Sequence, residues 1–190
     1  MRIKLAAAET RSQPPETTRK ESDVDATLHT INDRPALRFE RRVPYPVERV
    51  WQAVTMPAEL ERWFPGVADW KPEAGEVFQV GGEQGEISEF DPPHLIAWTF
   101  AGEHHRVELQ AQGSGCLLTF TYVFDDRPAA AQWAAGWDTY LNRLEPHLAG
   151  GFLSEEDAHI GFVERNDHYA ERFGLDPEIG RTFWRAQTGA

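Results

Sequence analysis

Few side chains in this sequence have chemistry to offer. His104 and His105 are adjacent, so on a strand they face opposite sides of the sheet and cannot hold one metal ion together. Strand parity sets His105 beside Val107 and Leu109, on the apolar side. There an imidazole can serve as a general acid or base, or sit half-solvated at a strand end. Tyr122 and Tyr140 each share an apolar face, so each hydroxyl must find a partner in the core or on a ligand. Glu40 and Glu108 fall on polar faces, and Cys116, on an apolar strand, reads as a small hydrophobe. His159 and His168 are nine residues apart, which puts them on opposite sides of a helix. Paired cysteines, HExxH, GxSxG and a phosphate-cradling glycine loop do not occur, and Gly81-Gly82 reads as a turn. No residue is assigned as catalytic and none as a metal ligand. No cofactor is expected, and whether any reaction occurs is left open.

The other resource is aromatic, with seven Trp and eleven Phe. Rings at strand and helix spacing pack cores by default, but large rings also line cavities. The candidate ligand-contacting set is Trp63, Phe78, Trp98, Phe100, His105, Phe120, Tyr122, Trp133 and Tyr140. Trp51 and Trp137 are assigned to the core.

The elements that must position these residues follow a simple order. Two extended runs, 26–31 and 36–43, flank Asn32-Asp33, a pair suited to turns. In the second run Leu37, Phe39, Arg41 and Val43 share one face. Val47, Val50, Trp51 and Val54 then make one helical stripe, and Pro57 opens a second short helix stopped by Pro65-Gly66. Six further strands are expected near 67–71, 76–80, 84–90, 95–101, 104–111 and 116–124, separated by Gly- and Pro-bearing turns. The last is the clearest: Leu118, Phe120 and Tyr122 should face a helix over 128–148, whose stripe runs Trp133, Trp137, Tyr140, Leu141, Leu144 and Leu148. Pro146 predicts a kink or a frayed last turn there. Ser154 to Asp157 matches a capping box for a helix over 154–173, and Asp176-Pro177 starts a shorter one holding Phe183 and Trp184.

Composition bounds the rest. One domain fits 190 residues, divided as a disordered leader 1–22, a core 23–150 and a helical extension 151–190. The formal charge of −12 argues against nucleic acid and against anionic membrane as partners. A lone cysteine and no secretory or spanning apolar segment point to the cytoplasm. The rings of the extension must be buried on their own chain or on a second copy, so packing on the same chain is expected and a homodimer stays open.

From about residue 36 to 149 the chain resembles the SRPBCC superfamily, the START and birch-pollen-allergen-like helix-grip proteins. It is similar to the bacterial branch related to the C-terminal domain of the heat-shock-protein-90 ATPase activator. The likeness rests on the strand 37–43 followed by PVERVWQAVTMPAELERWFP, on EISEFDPPHLIAWTF at 86–100, and on the helix with Gly136-Trp137, Leu141 and Leu144. Met56 departs from the Asp or Asn usual before the second helix, which weakens that N-cap, and the tail beyond 150 exceeds a minimal domain. The resemblance implies an α+β helix-grip fold: a curved antiparallel sheet of about seven strands wrapped round a long C-terminal helix, with two short helices after the first core strand. Relatives hold lipids, sterols, phenolics or polyketides in the hollow between. Some cyclise polyketides, and the eukaryotic activator's domain touches a chaperone. The leading expectation is a small hydrophobic, aromatic or acyl ligand in a hollow of ~300 Å³ or more. A protein-interaction or chaperone-associated module and a cyclase or aromatase are the alternatives.

Overall fold

The computed structural model describes residues 23–66 and 69–189; the expected leader, 1–22, lies outside the described residues. Seven strands form one antiparallel sheet: β1 (Asp23–Ile31), β2 (Arg34–Val43), β3 (Val77–Val80), β4 (Glu83–Asp91), β5 (Leu95–Phe100), β6 (Glu103–Gln112) and β7 (Gly115–Val123). Their spatial order is β1-β2-β7-β6-β5-β4-β3. Between β2 and β3 the chain crosses the sheet through α1 (Val47–Thr55) and α2 (Pro57–Leu60). After β7 come a 3-10 turn (Arg127–Ala129), α3 (Ala130–Leu148), α4 (Glu155–His159), α5 (Phe162–Phe173) and α6 (Glu178–Thr188). This is the helix-grip arrangement. No described helix is long and apolar enough to cross a membrane.

Local chemistry explains the strand pairing. Asn32 and Asp33 both take positive φ, 49° and 64°, giving a two-residue turn whose twist matches the strands it joins. Gly81-Gly82 does the same between β3 and β4. With register pinned by such turns, alternation carries alternate side chains inward. Leu118, Phe120 and Tyr122 on β7 are all buried on the helix side, where Phe120 packs on Trp137 and Tyr122 on Trp133. Arg41 follows Leu37 and Phe39 inward and forms a buried ion pair with Asp138 of α3.

Several elements depart from expectation. Residues 69–71, the described part of the strand expected near 67–71, are irregular. Trp70 turns into the core instead: its indole N–H donates to the Thr55 carbonyl at 2.8 Å and its rings meet Phe78 and Trp98. Burying that large ring outweighs extending the ladder ahead of Pro72, which has no N–H to give. The helix expected over 154–173 is broken after His159, because Gly161 adopts a left-handed φ of 78°. Its cap forms as read, with Ser154 Oγ accepting from the Asp157 N–H at 3.0 Å. At Pro146 the last turn does not fray: α3 runs on to Leu148, and the Pro146 carbonyl accepts from the Gly151 N–H at 2.9 Å. Met56 supplies no side-chain cap to α2.

The extension packs on its own chain. Helix α5 lies along α3, with Arg165 donating to the Thr139 hydroxyl at 2.8 Å. It also reaches β1, where the fully buried Tyr169 accepts the Ala26 N–H at 3.3 Å and Asp25 holds His168 and Arg172. Trp184 of α6 closes the layer, stacked on Phe162 at 4.7 Å.

Candidate functional site

The space between sheet and α3 is filled with rings. Trp98, His105 and Tyr122 are register partners on three neighbouring strands, so they form a row across the concave face. The imidazole of His105 stacks on Trp98 at 5.0 Å and 1°, and lies 5.0 Å from Tyr122. Trp137, from α3, reaches down onto this row, 5.5 Å from His105, 5.4 Å from Tyr122 and 4.7 Å from Phe120. Trp63 closes the far side with its indole N–H on the Ala53 carbonyl at 2.8 Å. What free volume remains is about 10 Å³, bounded by apolar side chains including Trp63, Phe64, Trp98, Phe120 and Trp137. Among the described residues, no hollow of ~300 Å³ stands between these rings; the side chains expected to line it interdigitate there, as apolar side chains do when nothing holds them apart.

Two polar atoms sit inside this apolar packing. His105 is 4% exposed and Tyr122 fully buried, and neither His105 Nδ1 nor the Tyr122 hydroxyl has a hydrogen-bond partner among the described residues. The Glu103 carboxyl faces the phenol from the rim without closing a bond of normal geometry. Burial pushes the His105 imidazole down to about 3, with His104 adding to the shift. Burial and the neighbouring Glu103 push the Tyr122 phenol well above its ordinary value, and Glu103 is itself raised by burial. Near pH 7 the pair is a neutral imidazole beside a neutral phenol. Such a pair can give and accept hydrogen bonds, but an imidazole of so low a pKa is a weak base.

The remaining sequence candidates sort clearly. Trp133 touches Tyr122 at 5.7 Å. Phe78 and Phe100 stack on each other at 6.1 Å toward the β3 end of the sheet, separated from His105 by Trp70 and Trp98. Tyr140 turns away from the interior: its hydroxyl donates to Glu155 Oε1 at 2.8 Å, and its ring meets His159 of the extension. Trp137, assigned from the sequence to the core, and Phe64 border the same small void. Trp137 stands four residues after Trp133, one turn along the same face, and that spacing was the available signal. Cys116 is buried, with its thiol pushed up to about 11, and so holds no thiolate near neutrality. Among the described residues no group of three or more His, Cys, Asp or Glu is arranged to hold a metal.

Comparison with known proteins gives a consistent picture. Residues 44–149 match the family model described as Activator of Hsp90 ATPase homolog 1-like protein. No curated protein matches the chain. Among solved structures, CalU16 from Micromonospora echinospora is 24% identical, with a TM-score of 0.65 over 80% of this chain and 99% of its own. DynU16, a protein in the dynemicin biosynthetic locus, is 28% identical with a TM-score of 0.54, covering 62% of this chain and 48% of its own. The Aha1 dimer from Colwellia psychrerythraea is 16% identical with a TM-score of 0.52, covering 60% and 95%. The likeness to CalU16 and Aha1 is one of fold.

Proposed function

The chain belongs to the Activator of Hsp90 ATPase homolog 1-like family, and on that premise we propose that it binds a small, flat, largely apolar molecule in the grip between sheet and α3. The observation that carries this reading is the unpartnered pair, His105 Nδ1 and the Tyr122 hydroxyl, buried side by side among aromatic rings. An unsatisfied buried polar atom costs about 1–3 kcal/mol. A ligand bearing one hydroxyl or carbonyl group would satisfy both at once. Trp137 and Phe64, each only half-buried, are the rings that must shift to admit it. Binding by displacement of side chains makes an occupied pocket out of a closed one. The place of DynU16 in a biosynthetic locus is in keeping with a small-molecule partner.

The alternatives draw less support. Acid–base catalysis asks His105 to act far from its pKa. The most exposed apolar side chains, Phe152 and Ile160, belong to the extension, and Arg62 covers the Phe152 ring at 5.1 Å. Self-association remains a secondary reading, in keeping with the dimeric Colwellia relative, and sedimentation tests it directly.

The central test is a tryptophan-emission titration with 2-naphthol and with 2-methylnaphthalene. Saturable binding is expected for both. The naphthol should bind ~5–100-fold more tightly, the worth of one buried hydrogen bond, and His105→Phe should abolish that preference. Equal affinities, or no saturable binding, would overturn the reading.

A further inference from the structure

Next to the filled interior lies an open groove of about 530 Å³, bounded by the end of α2, by β3, and by Arg143 and Glu155. One residue belongs to both spaces. Phe64 lines the groove and also the small void inside the grip. Its ring leans inward on Trp63 at 5.5 Å, Trp98 at 5.9 Å and Trp137 at 5.8 Å. The backbone before it is held: the Arg143 guanidinium donates to the carbonyls of Arg62 at 3.3 Å and Trp63 at 3.2 Å. A single half-buried ring on a pinned backbone therefore divides the two spaces. Side-chain rotation there needs no movement of secondary structure.

The outer wall is built partly by the extension, which lies beyond the stretch matched by the family model. Arg143 also donates to the Leu153 carbonyl at 3.1 Å, and Glu155 is fastened by Tyr140. Two carboxylates, Glu61 and Glu155, line the groove against one guanidinium, Arg143, whose hydrogen bonds among the described residues run to backbone carbonyls. The rim is thus richer in acceptors than in free donors.

Resting on the binding reading above, we propose that this groove is the outer half of one binding site and that the Phe64 side chain is the partition that swings aside to join the halves. The ligand it fits is elongated, with a flat apolar body for the interior and a hydrogen-bond-donating end, an amine or alcohol, at the rim beside Glu155. The extension is then part of the site.

Stopped-flow binding of dansylamide and dansylcadaverine, which share a ring body and differ in an amine-bearing tail, tests this on the full chain. Phe64→Ala should speed association of both probes at least tenfold, because the partition is gone. Glu155→Gln should lower the preference for dansylcadaverine over dansylamide at least fivefold. Where the alanine variant fails to fold, Phe64→Leu is read in the same way. An unchanged association rate, with saturable binding to the unaltered chain, would overturn the partition and leave the binding reading standing. An unchanged probe preference would overturn the rim assignment. No saturable binding of either probe to any variant would overturn the binding reading and this inference with it.

Discussion

Tyr122→Phe separates a stored polar atom from an ordinary core tyrosine. The ring is fully buried and held by His105 at 5.0 Å, Phe124 at 5.2 Å, Trp137 at 5.4 Å and Trp133 at 5.7 Å. Phenylalanine keeps every one of those contacts and loses only the hydroxyl. Because that hydroxyl closes no hydrogen bond of normal geometry, even with Glu103 nearby, its removal relieves about 1–3 kcal/mol. The void it leaves is smaller than a methyl group, which takes back at most ~1 kcal/mol. A net gain of about 1 kcal/mol is expected from those two opposing effects. In a chain of this size each kcal/mol moves Tm by roughly 2–4 °C. Urea unfolding followed by tryptophan emission, with calorimetry beside it, should show a higher midpoint and an unchanged slope. The same variant should bind 2-naphthol more weakly, so stability rises as affinity falls. A loss of stability of 0.5 kcal/mol or more would show that the hydroxyl is bonded in the native state, and the argument for a waiting ligand would fail with it.

Other residues carry separate expectations. The His105 imidazole titrates in the unfolded chain near 6.5 and in the folded one near 3, so the unfolded state binds more protons in between. Stability should be complete above pH 6.5 and fall toward pH 3, by at most about 1.4 kcal/mol per pH unit, and His105→Phe should flatten that slope in a series of melts. Asp138→Ala removes the buried carboxylate that pairs with Arg41 and should cost about 3–5 kcal/mol by urea unfolding. In that background Arg41→Met should restore part of the loss, and a simple sum of the two losses would count against the pairing. At Gly180 an added Cβ would meet Asn166 Oδ1 at 1.9 Å. Gly180→Ala should therefore cost about 1–3 kcal/mol and loosen α6, seen as faster amide exchange across 178–188.

Much of the architecture could be read from periodicity because periodicity is local. Strand alternation is a property of the backbone, so the inward turn of Leu118, Phe120 and Tyr122 and the parity of His105 followed without knowledge of any neighbour. The Asn32-Asp33 turn and the Ser154 cap were legible for the same reason, since each acts within four residues. The direction of a side chain was thus available, and its depth and partners were not. Whether the grip is hollow depends on how side chains from the turn after α2, from α3 and from β5, β6 and β7 share one volume, and only their joint packing leaves a void of about 10 Å³ there. Tyr140 shows the limit within one helix stripe: it has the right spacing, yet its hydroxyl turns to Glu155, which only docking of the extension brings within reach. Trp70 likewise left its expected strand because the core had room for an indole and a free carbonyl at Thr55. The solitude of His105 Nδ1 and of the Tyr122 hydroxyl belongs to the same class, because an unmet hydrogen bond is a statement about every neighbour at once.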